Sequence, residues 1–149
     1  MASKTQVVGS FFEWMAACFL QTHGLVLYQK NFQCKYGEID LIMRDGAEWV
    51  FVEVRYRKTS SYVTPLESIS YHKQKRIHKS VWIFLNQLNS SDAFRIDIIG
   101  VTPKQAFTQS YINTISLEIL AKKSPKIAQL WFKSFWKKRY NFEWIPAAF

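Results

Sequence analysis

Three carboxylates fall within one short segment of the sequence, residues 37–57, which reads GEIDLIMRDGAEWVFVEVRYR. They are Glu38, Asp40 and Glu53. Carboxylate oxygens are the ligands that Mg²⁺ and Mn²⁺ prefer, and two of them on neighbouring strands can share one ion. The first chemistry that this segment indicates is therefore the binding of a divalent cation.

The same segment predicts a β-hairpin, because alternating residues flank an Asp-Gly pair that suits a tight turn. With Asp45 and Gly46 as the turn, Asp40 faces Phe51 and is a diagonal neighbour of Glu53, at roughly 7 Å. In this register a shift of the turn by one residue is expected to break the site. One face of the hairpin is wholly apolar and is expected in the core, and the face with the carboxylates is expected to be wet or paired. The apolar face holds Ile39, Leu41, Met43, Val50, Val52 and Val54.

Arg55 and Arg57 share the face of the carboxylates, so two interpretations stay open. Crowded carboxylates need positive charge nearby, and either a metal ion or these arginines can supply it. In the second case the hairpin carries only a solvated, charge-balanced strand face.

Length and composition favour one soluble domain of 149 residues with a net charge of +9. Residues 1–102 hold 12 Lys/Arg against 9 Asp/Glu, and residues 103–149 hold 8 against 2. The excess positive charge suits a polyanion, either nucleic acid or an anionic membrane surface. No apolar run is long enough for a transmembrane segment, and the isolated Cys18 and Cys34 fit reduced thiols, so a cytoplasmic location is expected.

Hydrophobic periodicity predicts the element order αβββαβ, with the last strand parallel to a hairpin strand. A polar loop at residues 58–70 beside the candidate site suits a substrate-facing flap. The predicted elements are a helix at 8–23 ended by Gly24, a strand at 25–32, a turn at 31–36, the hairpin, a helix at 71–88 and a strand at 94–101.

The second predicted helix begins with a cluster of cations, Lys73, Lys75, Arg76 and Lys79. Cations at a helix N-terminus oppose the helix dipole, which favours a phosphate-bearing partner, although a solvated charged face remains the simpler alternative. Lys73 lies one turn before Ile77 and is the cation most readily drawn toward the sheet.

Two further acidic residues have a structural and a functional interpretation. Glu13, on the flank of the first helix, can point to solvent or lean over the edge of the sheet. Asp97 alternates with Arg95 on one strand face and is expected to pair with it or with an arginine of a neighbouring strand.

Residues 103–149 form a basic, aromatic extension that is expected to pack on or beside the 1–102 core. Ser124 and Pro125 predict the start of a helix that continues to Tyr140. Its apolar arc can dock on its own domain, lie on an anionic membrane or bind nucleic acid. The final residues, 142–149, are expected as an edge strand or as a cover for the core.

Several motifs together resemble the YraN-like family of uncharacterised bacterial proteins. The resemblance covers about residues 9–102, and the closing EWIPAAF is also similar to the end of that family. The motifs are GEIDLI at 37–42, FVEVR at 51–55, K-x-x-R-I at 73–77 and RID at 95–97.

This family is similar in fold to the PD-(D/E)XK nucleases and the archaeal Holliday-junction resolvases. The resemblance implies an α/β restriction-endonuclease-like core, with a mixed central sheet flanked by helices. It also implies that Asp40 and Glu53 bind Mg²⁺, or Mn²⁺ in its place, and that Glu13 completes the metal site. Arg55 stands where the motif has lysine, and Lys73 falls near the polar residue that the second helix contributes.

The implied function is metal-dependent endonuclease activity on DNA, including branched or structured DNA, and resolvase-like nucleases work as homodimers. The catalytic set would be Glu13, Asp40, Glu53, Arg55 and Lys73. The nucleic-acid-binding set would be Arg55, Arg57, Lys58, Lys73, Lys75, Arg76 and Lys79. Arginine stays charged and is a poor general base. Two alternatives therefore stay open: a binding module of the same fold with little activity, and a membrane or protein-interaction factor that works through the C-terminal helix.

Overall fold

A computed structural model of the chain describes residues 3–58, 62–104, 126, 129–130 and 132–149. Within these residues five strands form one sheet in the order β1-β2-β3-β4-β5. Neighbouring strands are antiparallel except β3 and β4, which are parallel. The elements are α1 (Lys4–Thr22), β1 (Val26–Cys34), β2 (Gly37–Asp45), β3 (Glu48–Tyr56), α2 (Tyr71–Gln87), β4 (Phe94–Pro103), a π-helical turn (Phe132–Trp136) and β5 (Tyr140–Ile145).

The predicted α/β class and the αβββαβ order are confirmed, including the parallel pairing of β3 with β4. Several predicted boundaries are wrong, and β4 continues two residues past the predicted end at 101. Helix α1 begins at Lys4 because Ser3 and Gln6 form a capping box that satisfies free backbone groups at its start. Strand β1 continues to Cys34, so the predicted turn at 31–36 shrinks to Lys35 and Tyr36.

Helices pack on both faces of the hairpin, so the expectation that its carboxylate-bearing face is wet or paired is wrong for most of that face. Residues Ile42 and Phe51 on that face are fully buried beneath α2, in a cluster with Phe84. On the opposite face α1 covers Leu41 and Val52. The hairpin is thus a central, two-sided element of the core.

The turn of the hairpin differs from the prediction by one residue. Asp45 pairs with Glu48, so the turn residues are Gly46 and Ala47, and Gly46 supplies the positive φ of 58°. A guanidinium on β4 explains the shift, since Arg95 contacts both closing residues of the hairpin, Asp45 at 3.0 Å and Glu48 more closely. Asp45 is therefore held as a strand residue rather than a turn residue.

A buried aspartate joins β4 to the C-terminal segment. Asp97 is fully buried, and its carboxylate accepts hydrogen bonds from Arg95 Nε at 3.1 Å, Trp144 Nε1 at 2.9 Å and the Ala147 backbone N–H at 3.0 Å. The predicted pairing of Asp97 with Arg95 is confirmed. The same carboxylate also attaches β5 to the sheet edge. The edge strand expected at 142–149 is thus present but spans Tyr140–Ile145, so Tyr140 begins this strand instead of ending the predicted C-terminal helix.

Two aromatic residues of the extension pack on the core. Phe132 and Trp136 are buried with residues of α1, and the rings of Trp136 and Phe11 lie 4.9 Å apart, edge to face. Lys126, Gln129 and Leu130 are helical, whereas the predicted cap at Ser124 and Pro125 lies outside the described residues. The division of the chain at residue 103 stays a prediction. Among the described residues no helix is long and apolar enough to cross a membrane, and Cys18 and Cys34 are free thiols.

Candidate active site

The first carboxylate of the site lies across from a β1 residue with an unusual backbone conformation. The β1–β2 register passes from Lys30↔Leu41 to Phe32↔Ile39, and Asn31 between them has a positive φ of 51°. The Asp40 carboxylate turns toward β3, where its Oδ2 accepts a hydrogen bond from the Val54 backbone N–H at 2.7 Å. Ile39 consequently packs in the cluster beneath α2 rather than on the predicted opposite face.

The hairpin register brings the second carboxylate next to the first. Leu41 pairs with Val52, and continuing this register by one position places Asp40 across from Glu53 instead of on its diagonal. The expectation that a one-residue shift breaks the site is therefore wrong. Such a shift moves the opposed residue by two positions, and in the shifted hairpin the charge of Glu53 still acts on Asp40.

Glu53 is a buried carboxylate with cationic neighbours. The residue is only 4% exposed. Its Oε1 lies 3.2 Å from Lys73 Nζ, on the first turn of α2, and 3.5 Å from Arg55 Nη1, on its own strand. Lys73 is thus drawn toward the sheet as predicted, and it brings a primary amine into the site.

Arg55 is anchored by the loop that precedes α2. Its Nε donates to Ser68 Oγ at 3.0 Å and its Nη2 donates to the Ser68 backbone carbonyl at 2.8 Å. Ser68 in turn donates to the Pro65 carbonyl. These contacts fix one side of the guanidinium and leave about a third of the side chain exposed beside Glu53.

Glu13 leans over the sheet from α1 instead of pointing freely into solvent. It is half-buried, and burial raises the pKa of its carboxyl, while a hydrogen bond with Asn31 acts in the opposite direction. Glu13 borders a polar cleft of about 410 Å³ between α1 and the β1–β2 strands. The cleft is lined by Gln6, Gly9, Ser10, Glu13, Asn31, Gln33 and Glu38.

The carboxyl groups of the site have too few cationic partners to offset the cost of removing them from water. Burial, and next the charge of Glu53, raise the pKa of Asp40 to about 8, against the Val54 backbone N–H and the charge of Lys73, which lower it. Burial also raises the pKa of Glu53, although Lys73 and Arg55 oppose that change. Two neighbouring carboxyl groups, one buried and one partly buried, that destabilise each other's charged form are an oxygen donor set that fits a divalent cation.

Glu13, the third metal ligand that the resemblance implies, is less closely associated with Asp40 and Glu53. Within the described part of the chain, no group of three or more His, Cys, Asp or Glu side chains is positioned to hold a metal ion. Glu13 does act electrostatically on Asp40, because its charge contributes to the raised pKa of Asp40. Its role as a third ligand stays a prediction.

The predicted nucleic-acid-binding residues divide into two groups. Lys58, Lys75, Arg76 and Lys79 are exposed, the last three on α2. Arg57 is only 16% exposed in its side chain and lies 3.7 Å from Glu143 on β5. Arg57 therefore has far less access to a phosphate than the residues of α2.

Sequence reasoning missed two residues that shape the site, Asn31 and Ser68. Asn31 carried a usable signal, since asparagine is one of the few residues that tolerate a positive φ inside a strand pattern. Ser68 carried none, because a serine in a polar loop has many possible partners.

The described fold is an α/β protein whose five-stranded mixed sheet and flanking helices are consistent with a restriction-endonuclease-like core. A sequence model of the family described as "Uncharacterised protein family UPF0102" matches residues 12–101. The chain belongs to this family, which is the YraN-like family, so the resemblance inferred from the motifs is confirmed.

Relatives in three bacteria carry the same family name. A UPF0102 protein of Coxiella burnetii (strain RSA 493 / Nine Mile phase I) is 40% identical over 110 residues, covering 72% of this chain and 92% of the relative. That of Aliivibrio fischeri (strain MJ11) is 40% identical over 96 residues, covering 62% and 78%. That of Vibrio cholerae serotype O1 (strain ATCC 39315 / El Tor Inaba N16961) is 42% identical over 96 residues, covering 62% and 79%.

Proposed function

We propose that this protein is a metal-dependent endonuclease that hydrolyses phosphodiester bonds in DNA, with branched or structured DNA as its substrate. The observation that carries the proposal is the pairing of two carboxylates on adjoining strands, the buried Glu53 and the partly buried Asp40, with the Lys73 amine 3.2 Å from Glu53. Carboxylates from adjoining strands suit an ion that must also meet a phosphate.

Each residue of the site has a distinct part in the proposed reaction. Asp40 and Glu53 hold Mg²⁺ or Mn²⁺, with Glu13 as a further acidic neighbour. A divalent ion held by these carboxylates would supply a water molecule of lowered pKa and positive charge to neutralise the phosphate. Arg55, already fixed by Ser68, presents its free side to a phosphate oxygen, since a guanidinium binds phosphate well and does not lose its proton.

Lys73 supplies the amine that Arg55 cannot. It reaches Glu53 from α2 rather than from β3, and an ammonium there can orient a water molecule or stabilise the leaving oxygen. Basic residues of α2 then bind the flanking DNA backbone, with Lys75, Arg76 and Lys79 exposed beside the site.

A second candidate is a DNA-binding module of the same fold with little hydrolytic activity. Two observations favour it: Arg55 stands at the position where the related nucleases have lysine, and no three-carboxylate group occurs among the described residues. The membrane alternative loses support within the described residues, because Phe132 and Trp136 are buried against α1. A homodimer in the cytoplasm remains part of the proposal, by similarity to resolvases acting on symmetric junctions.

Cleavage of labelled DNA tests the proposal. Four-way junctions, flaps and plain duplexes would be incubated with Mg²⁺ or Mn²⁺ and the wild-type protein, Asp40→Asn or Glu53→Gln. We expect metal-dependent cleavage of a branched substrate, reduced at least about 100-fold in both variants, while DNA binding in EDTA is retained. Asp92→Asn, on the exposed surface, is the control and should cleave normally. Binding without any cleavage would support the second candidate and contradict the first.

A further inference from the structure

An exposed side of α2 alternates aromatic and cationic side chains. Tyr71, the first residue of the helix, is 70% exposed. Lys75 lies one turn later, with its Nζ 4.5 Å from the centre of the Tyr71 ring. Lys79 follows after one more turn. Residues four apart on a helix share a face, so these three side chains form a row.

The row continues onto the turn between β1 and β2. Lys79 Nζ lies 5.1 Å from the centre of the Tyr36 ring, and Lys35 Nζ lies 5.1 Å from the same ring. Arg76 ties the turn to the helix, because its Nε donates to the Tyr36 carbonyl at 2.7 Å. We call this surface the α2 track. It consists of Lys35, Tyr36, Tyr71, Lys75 and Lys79.

The lysines of the α2 track are not neutralised by carboxylates in the part of the chain that the structure describes. The salt bridges found there hold Lys73, Arg55, Arg57, Arg44 and Arg95 but none of the three lysines of the track. Helix α2 itself contains no Asp or Glu. The track therefore presents uncompensated positive charge next to aromatic rings.

This combination fits single-stranded nucleic acid better than a duplex. Single strands bind to aromatic side chains through base stacking and to cations through their phosphates. In a duplex the bases are already stacked on each other, so the rings would contribute little. An acidic protein surface would need the lysines but not the tyrosine rings.

We propose that the α2 track binds a single-stranded DNA arm that leaves the candidate active site. The inference rests on the proposed function, because the position of the active site sets where the arm begins. Tyr71 lies two residues before Lys73, the lysine that contacts Glu53. From Tyr71 to Lys79 the helix rises about 12 Å. That length gives the unpaired strand a contact of on the order of a few nucleotides. The substrate class is accordingly branched DNA with an unpaired arm, such as a flap.

Binding in EDTA separates this inference from the question of catalysis. The probes are a fluorescently labelled oligothymidine of roughly a dozen nucleotides and a blunt DNA hairpin with the same number of phosphates. We expect Tyr71→Ala and Tyr36→Ala to weaken oligothymidine binding by about tenfold each. Tyr71→Phe, which keeps the ring, should bind like the wild type. Binding to the hairpin should change by less than about twofold in all three.

Charge substitutions test the cationic half of the track. Lys75→Gln and Lys79→Gln should each lower the salt dependence of oligothymidine binding, with the slope of log K against log salt smaller by about 0.7. Lys137→Gln, an exposed lysine near β5, is the matched control and should leave the slope unchanged. Circular dichroism would confirm that each variant is folded.

Three results would overturn the inference: tyrosine substitutions that leave oligothymidine binding unchanged, equal losses on the oligothymidine and the DNA hairpin, or a Tyr71→Phe variant that binds as weakly as Tyr71→Ala. The outcome is independent of the proposed nuclease activity. Tyrosine-dependent binding by a protein that cuts no DNA would keep the α2 track and remove the enzyme. A protein with Asp40-dependent cleavage but no tyrosine-dependent binding would keep the proposed enzyme and remove the α2 track.

Discussion

At the scale of single residues, the candidate site depends on two carboxyl groups whose charges are poorly compensated. Asp40 and Glu53 were recognisable in the sequence because their positions on two predicted strands place them on one face. Their environment was not, since the burial of Glu53, the partial burial of Asp40 and the position of Lys73 depend on how distant parts of the chain pack. Residue type is local information, whereas the pKa of a residue is a property of the fold.

The raised pKa of Asp40 predicts how stability varies with pH. In the folded protein this group has a pKa of about 8, against 3.8 for an unperturbed aspartate. The folded state then holds a proton that the unfolded state releases, so in metal-free buffer stability falls as pH rises from about 4 to about 8. Asp40→Asn cannot ionise and can still accept from Val54 N–H. It should melt at least about 3 °C above the wild type at pH 8 and close to it at pH 4.

Thermal melts over this pH range, recorded in EDTA, would check the prediction. Asp92→Asn, at an exposed aspartate, is the control and should follow the wild type at every pH. A melting difference for Asp40→Asn that stays constant with pH would mean that Asp40 titrates normally.

Lys73 is expected to stabilise the folded protein by partnering Glu53. Lys73→Gln removes the ammonium 3.2 Å from a carboxylate that is 4% exposed, and Arg55 at 3.5 Å compensates only in part. We expect a loss of about 1 kcal/mol in the free energy of unfolding at pH 7, measured by urea denaturation. The exposed Lys75 provides the control, and Lys75→Gln should change this free energy by less than about 0.5 kcal/mol. Equal effects in the two variants would contradict the pairing.

At the scale of secondary structure elements, periodicity predicted most of the sheet but not its fine register. The alternating hairpin, the basic helix and the parallel strand were each predictable from local patterns. The turn was misplaced by one residue, because Asp45-Gly46 is a favourable local turn and the deciding contact, Arg95 with Asp45 and Glu48, comes from a strand 50 residues away.

Strand β4 lies in close contact with the loop before α2, where Gly100 meets Pro65. A Cβ on Gly100 would lie 2.4 Å from Pro65 Cγ, so Gly100→Ala must displace the loop whose Ser68 holds Arg55. We expect a loss of about 1–3 kcal/mol in stability by chemical denaturation. Gly9, in α1, has only Glu13 Oε1 within 4.0 Å of such a Cβ. Gly9→Ala should therefore stabilise the protein by about 0.5–1 kcal/mol. A neutral Gly100→Ala would show that the loop is not packed on β4.

At the scale of the whole molecule, the C-terminal segment completes the sheet and covers α1. Its edge strand and its apolar aromatic residues were foreseeable from composition and spacing. Its attachment through Asp97 was not, because Trp144 and Ala147 meet that carboxylate across about 50 residues of sequence. The basic charge of the segment therefore lies on a part of the chain that is also needed for the fold.

Paired substitutions test whether the C-terminal aromatic residues belong to the core. Phe132 is fully buried with α1, whereas the nearby Leu130 is 65% exposed. Phe132→Ala should lower the free energy of unfolding by about 3–5 kcal/mol. Leu130→Ala should change it by less than about 0.5 kcal/mol. If the segment instead served mainly to contact a membrane, Phe132→Ala would leave stability unchanged and weaken liposome binding.

The most direct test of the site is a titration of the metal-free protein with Mn²⁺, measured by isothermal titration calorimetry at pH 8. We expect saturable binding of Mn²⁺ that is reduced at least about tenfold in Asp40→Asn and in Glu53→Gln but retained in Asp92→Asn. Wild-type protein that binds no Mn²⁺, or variants that bind it as well as the wild type, would contradict the claim that these two carboxylates form a metal site.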